Sequence, residues 1–435
     1  MTVSSVDPWS PSPAHFRAIV VGVVGIGAAL LFRVPAILVL ATPFAFVAVW
    51  STATRPDNAP TLTSQISPRT IREGEATTWA AELCDVNAVD HVVAFAPPRT
   101  WLETRPHSGV VATGVDHGDS TTTAAVAVAM RCTHWGRHEI GPINVVAVSS
   151  WGAFRWRALD VGYQVTTLPL PEVFDAAPPQ HRANGLVGLN RSSHPGDGSE
   201  FSGIRPFQTG DRLRRINWRR SLRSGDLHVT STYADQDTHV ALFVDALADF
   251  GTSGGIDGAA SSLDTTVRAA GAIAEHFLLR GDRVSLQVFG SRGRSHVPPA
   301  SGRGHLRRIL DVLAVIDPDT SRAGEVRAGR GAIPGDALAI MLSPLISPIA
   351  LQRAVSIASH GLTVAVVDTL PDDVHTDDDA STELAWRIRL LERQREVRSV
   401  QNVGVPVIAW RGPGSLDPFL REIARRAAAP RMARR

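Results

Sequence analysis

The densest run of reactive charge is GDRLRRINWRRSLRSGDL, from Gly210 to Leu227. Six guanidinium groups (Arg212, Arg214, Arg215, Arg219, Arg220 and Arg223) stand beside the carboxylates Asp211 and Asp226. A guanidinium fork grips phosphate or carboxylate through paired hydrogen bonds and stacks on aromatic faces such as that of Trp218. Three chemistries follow: a nucleic-acid clamp, a phosphate or acidic-partner site, or an internal ionic network. Nucleic-acid binding draws on many phosphate contacts and a basic surface. Here Glu200, Asp211 and Asp226 break the positive field. The residues therefore favour a network that fixes one domain against another. That reading predicts that Trp218 is buried and that Asp211 or Glu200 pairs with Arg205, Arg214 or Arg215. A phosphate or acidic-partner site stays open for the arginines left over.

Other candidate groups carry less chemistry. Asp245, Asp249 and Asp368 end or follow apolar runs and would suit a hard cation if other oxygen ligands joined them. His134 and His138 are four apart, but in strand-like sequence that spacing has no ligand geometry. PDDVHTDDD, Pro371 to Asp379, lacks the spacing of an EF-hand and reads as a solvated acidic loop. GDGSE around Ser199 is not a nucleophile elbow. Cys84 and Cys132 read as small buried side chains that would pair only in an oxidising space. All 44 basic residues are arginine. The absence of lysine argues against a Walker ATPase, a kinase of the usual kind and a pyridoxal enzyme. A net charge of +2 supplies no global field for nucleic acid or anionic membrane.

These groups must be held by three kinds of element. Between Ala18 and Trp50 the only charge is Arg33, which separates apolar runs of 15 and 17 residues. The pattern predicts a two-helix membrane hairpin. Arg17, Arg55, Arg69 and Arg72 flank it on one side, which favours a cytoplasmic body. From Thr61 to Pro169 the apolar period is two, as in Ala124, Val126, Val128 and Met130. Short strands between Gly, Pro, Asp and Asn predict a β-sandwich. WGAFRWRALDVGYQVTTLP reads as a hairpin and a last strand. From His239 strands alternate with helices, which predicts a doubly wound parallel α/β sheet. In such sheets ligands sit at the carboxyl ends of the strands, where Asp245 falls.

With its flanks assigned, GDGSEFSGIRPFQTGDRLRRINWRRSLRSGDLHV resembles the signature of the domain of unknown function 58 family. The matching positions include Glu200, Phe201, Arg205, Phe207, Gly210, Asp211, Arg214, Arg215, Ile216, Asn217, Trp218, Ser221, Arg223 and Gly225. The resemblance implies an N-terminal membrane hairpin (residues 1–55), a β domain (56–170), an arginine-rich signature linker (171–236) and a von Willebrand factor A-like α/β domain (237–435). It also implies a non-catalytic scaffold or adaptor in the inner membrane, without a cofactor, acting with a MoxR-type AAA+ ATPase. A metal-binding von Willebrand A domain carries D-x-S-x-S after its first strand. Here the run is Asp245, Ala246, Leu247, Ala248, Asp249, and DALAIMLS ends at Ser343 without an Asp. That departure argues against a metal at Asp245 and Asp249. Two rivals remain: a metal-dependent enzyme built on Asp245, Asp249 and Asp368, and a membrane-tethered nucleic-acid binder using Arg212 to Arg223.

Overall fold

The computed structural model describes residues 2–3, 9–115, 123–170, 195–208, 211, 213–233, 239–291, 296–318, 337–372, 374 and 380–412. The chain divides into two compact units. One is Met1–Pro169 with Gly255–Asp257; the other is Leu170–Gly254 with Gly258–Arg435.

The first unit opens with strands β1 (Thr2–Val3) and β2 (Ser10–Pro11), then helices α1 (Pro13–Phe32) and α2 (Pro35–Ala53). Both helices start on a proline, whose missing N–H costs nothing in a first turn. Ser12 caps α1 by accepting from the His15 N–H, and Arg33 ends it in a left-handed conformation. The helices run to 20 and 19 residues, longer than the apolar runs, because Pro13–Arg17 and Ser51–Ala53 continue them. At 1.5 Å per residue each reaches about 30 Å, the thickness of a bilayer core. Both are apolar enough to cross a membrane, and most of their side chains are exposed. They pack on small residues: a Cβ added at Gly25 would lie 2.6 Å from that of Ala41.

The β region begins at Thr61. Its strands are β3 (Thr61–Ser67), β4 (Thr70–Arg72), β5 (Ala76–Cys84), β6 (Val89–Phe95), β7 (Leu102–Arg105), β8 (Val110–Gly114), β9 (Thr123–Cys132), β10 (Gly136–Ile140), β11 (Asn144–Ser149), β12 (Phe154–Leu159) and β13 (Tyr163–Leu168). They form sheets β1-β3-β5-β9-β7, β2-β12-β11-β6-β8 and β10-β13-β4. The period-two residues point inward, and Ala124, Val126, Val128 and Met130 join one core with Trp79 and Trp156. The run WGAFRW…TTLP does not form a hairpin with itself. β12 and β13 lie in different sheets. The chain crosses between them at buried Asp160, whose carboxylate accepts from Trp79 Nε1 at 2.6 Å and Ser64 Oγ at 2.7 Å. Cys84 and Cys132 are free and sit at opposite ends of the β5–β9 ladder. His138 directs Nε2 to the His134 carbonyl at 2.7 Å, and burial lowers its pKa.

The base of the helical hairpin is tied into this β region. β2 pairs with β12, Trp9 lies in the shared core, and its indole donates to Asn58 O at 2.9 Å. His15 Nδ1 meets Ser51 Oγ at 3.0 Å, bringing the two helix ends together.

The second unit opens with the antiparallel pair β14 (Pro195–Pro206) and β15 (His228–Tyr233), joined through a 3-10 turn at Leu213–Arg215 and helix α3 (Trp218–Ser224). The main sheet follows. Its elements are β16 (His239–Asp245), α4 (Ser262–Leu279), β17 (Arg283–Phe289), β18 (His296–Ala300), α5 (Arg303–Leu313), β19 (Leu338–Ser343), α6 (Pro348–Ser359), β20 (Thr363–Asp368), α7 (Ala380–Asn402) and β21 (Val407–Ala409). The order is β18-β17-β16-β19-β20-β21, parallel except for β18 at one edge. One face buries Ala241, Phe243, Ala339 and Met341 against α6 and α7. The other lies on α4, whose apolar stripe Leu263, Val267, Ala270, Ala274 and Phe277 is buried throughout. The alternation from His239 also implies a last helix after Ser415; that segment and most of the acidic loop at Pro371–Asp379 lie outside the described residues.

Candidate functional site

Two groups of side chains bear on function, both in the second unit. The first is at the carboxyl ends of the central strands. β16 runs to β17 on one side, and the chain returns to β19 on the other, so the order reverses between β16 and β19. Ligands of open α/β sheets bind at such a switch point. Asp245 ends β16 there, 3% exposed. Its Oδ2 accepts from Ser343 Oγ at 2.6 Å and its Oδ1 from the Leu247 N–H at 3.0 Å. Burial pushes its carboxyl up to about 6, against the lowering effect of those two donors. Gly290 has φ +79 and lies against Leu247, where a Cβ would stand 2.6 Å from the Leu247 Cα.

A hydrogen-bonded path leads from this pair to Asp249. Ser343 O accepts from Thr369 N at 3.1 Å, Thr369 Oγ1 meets Thr266 Oγ1 at 2.6 Å, and Thr266 Oγ1 donates to Ser262 O at 2.7 Å. Ser262 Oγ then donates to Asp249 Oδ1 at 3.1 Å, which also accepts from Leu263 N at 2.9 Å. Burial raises the Asp249 pKa, opposed first by the Leu263 N–H. Asp368 is raised by burial too, opposed by the ion pair with Arg393. The three acidic candidates therefore do not converge. Asp245 and Asp249 spend their carboxylates on hydroxyl and amide donors, and Asp368 faces a guanidinium. Among the described residues no three His, Cys, Asp or Glu side chains group to hold an ion. This donor set does not fit a metal: Leu247 has no ligating side chain, and Ser343 and the Leu247 N–H direct their hydrogens at the Asp245 carboxylate.

The second group is the arginine-rich signature. Arg205, on β14, holds Asp211 with both forks, Nη1 to Oδ2 at 2.8 Å and Nη2 to Oδ1 at 2.6 Å. The guanidinium, with the Gln208 N–H, holds the Asp211 carboxyl below its ordinary value. The expected pairing of Asp211 with an arginine is thus found at Arg205. Asn217 caps α3, its Oδ1 accepting from Arg220 N at 3.1 Å. Ser221 is buried; its Oγ donates to Asn217 O at 2.9 Å and accepts from His228 N at 2.9 Å, tying α3 to β15. Gly225 ends the helix at φ +82, a conformation that costs an L side chain but not glycine. Ile216 and Val229 bridge in a small core.

Much of the motif is therefore local carpentry. Arg215 is half-buried and makes contacts, and Arg223 sits in the last turn of α3, where a cation suits the helix dipole. Arg214 is exposed. Gly210, Arg212 and the Glu200 side chain lie outside the described residues. Trp218 departs from expectation: it is 61% exposed, not buried. The helix is under two turns, and its single buried residue is Ser221, so no inner face is left for an indole. Ser343, Thr266 and Thr369 were missed as site residues. Their only sequence signal is a hydroxyl at or near the end of an apolar run.

One comparison with known proteins bears on this second unit. A family model described as protein of unknown function DUF58 matches residues 203–393. The match takes in most of the signature and runs from β16 through β20 into α7. The uncharacterized protein Mb1516 of Mycobacterium bovis and the uncharacterized protein Rv1480 of Mycobacterium tuberculosis are each 30% identical over 215 residues. The alignments cover 44% of this chain and 63% of each relative. The chain thus spans less than two thirds of the curated relatives it matches.

Proposed function

We propose that this chain is a membrane-anchored, non-catalytic adaptor that works by binding proteins, with a MoxR-type AAA+ ATPase as its partner. The observation that carries this reading is the state of the switch point. Where an α/β enzyme opens polar groups to substrate, Asp245 is 3% exposed and has both oxygens engaged by Ser343 and Leu247. A carboxylate so enclosed braces β16 against β19; it offers no face to a reacting atom. The anchor is supplied by α1 and α2, two helices of spanning length and apolar composition. The resemblance of the signature supplies the ATPase. The sheet is the von Willebrand A-like element of that reading, with its ion position closed.

The test is co-expression of the full chain with a MoxR-type ATPase, detergent extraction of the membrane fraction and size-exclusion chromatography. The two proteins should co-elute in at least one nucleotide state. Recovery of the full chain in the soluble fraction, or separate elution in every nucleotide state, contradicts the reading.

A further inference from the structure

The signature residues that brace the α3 module leave a second set with no internal task. Leu213, Trp218 and Leu222 are 70%, 61% and 83% exposed. Trp218 and Leu222 are four apart on α3 and so share one helix face. Arg214, Arg219, Arg220 and Arg223 are exposed around them, and their guanidiniums have no hydrogen bond or ion pair among the described residues. Exposed Trp and Arg are the residue types that dominate binding hot spots. The module holds this face in place from behind, through the Asn217 cap, the buried Ser221 and the Arg205–Asp211 pair.

We propose that this face of α3 and the preceding turn docks an acidic segment of the partner protein, one that interleaves carboxylates with apolar side chains. The inference rests on the adaptor reading and adds the chemistry of the partner. Charge complementarity selects the occupant: four unpartnered guanidinium forks take carboxylates bidentately. Trp218 and Leu222 take apolar side chains between them. The exposed apolar side chains of Trp218 and Leu222, set among the guanidiniums, favour a mixed acidic and apolar segment over a uniform phosphate array. The net charge of +2 adds no long-range pull toward nucleic acid or an anionic lipid surface.

The experiment uses the full chain in neutral-lipid nanodiscs and fluorescence anisotropy with a labelled synthetic peptide of alternating Asp, Glu, Leu and Phe. Two control peptides replace the carboxylates by amides or the apolar residues by serine. The acidic apolar peptide should bind about tenfold or more tightly than either control, and W218A and R219A should each weaken it by about tenfold or more. Both changes are at exposed positions, so melting curves should match the wild type and separate lost binding from lost fold. Equal binding of either control peptide, no binding of the acidic apolar peptide, or unchanged binding by both variants overturns the inference. Tighter binding to a single-stranded oligonucleotide or to phosphatidylglycerol vesicles overturns it in favour of phosphate. If the ATPase still co-elutes while the peptide fails, the docking inference falls and the adaptor reading stands. If neither binds, both fall.

Discussion

Asp245 is the residue on which chemistry and stability meet. Its folded pKa of about 6 lies above the ordinary unfolded value of about 3.9. The folded state therefore holds the proton more tightly. The stability this group contributes is fully present below the unfolded pKa and is lost as pH rises through about 6. The loss is at most about 3 kcal/mol. D245N keeps the shape and removes the titration. It should melt higher than wild type at pH 8 and show no gain at pH 4; a variant that melts lower at both contradicts the assignment. A second contrast concerns tryptophans. Trp79 is fully buried and donates to Asp160, so W79A should cost about 3–5 kcal/mol by urea unfolding, whereas W218A should fall within about 0.5 kcal/mol of wild type. At this scale the sequence shows residue types but not partners. Asp211 was legible as an arginine's partner because Arg205, at the end of β14, is only six residues away in the chain. Ser343 was not legible as the partner of Asp245, because they meet only through the β16–β19 pairing, 98 residues apart.

Among elements, those with a strong period were legible. α6 begins at Pro348 and ends at Ser359, where proline and polar residues bound its apolar stripe. β16 and β20 are apolar runs closed by Asp. Two elements were not legible, for a common reason. β14 is rich in Gly and Pro, and β18 reads HVPPA; such residues signal turns, yet both strands have an unpaired side that tolerates them. The hairpin was legible in composition but not in its attachment, since Trp9 and β2 precede it and pack with β12 and the core. Deleting residues 1–55 would remove them along with the anchor. Replacing 13–53 alone by a short Gly-Ser linker keeps them, and Arg55 Nη2 already reaches Trp9 O at 3.3 Å. That variant should be soluble without detergent and keep a cooperative melt. A product that still sediments with membranes would place the anchor elsewhere.

For the whole molecule, the adaptor proposal gives α1 and α2 the role of holding it at a membrane, the closed switch point that of bracing the sheet, and the exposed face of α3 that of reading a partner. The enzyme and nucleic-acid alternatives each make a different residue decisive, Asp245 in one and the full arginine run in the other. One measurement sets these against each other: the binding isotherm of a purified MoxR-type ATPase for the nanodisc-embedded full chain, run with wild type, D245N and the W218A/R219A double variant. The adaptor account predicts saturable binding to wild type, the same affinity for D245N, and about a hundredfold loss for the double variant. No binding to wild type, or binding lost in D245N and kept in the double variant, would contradict it.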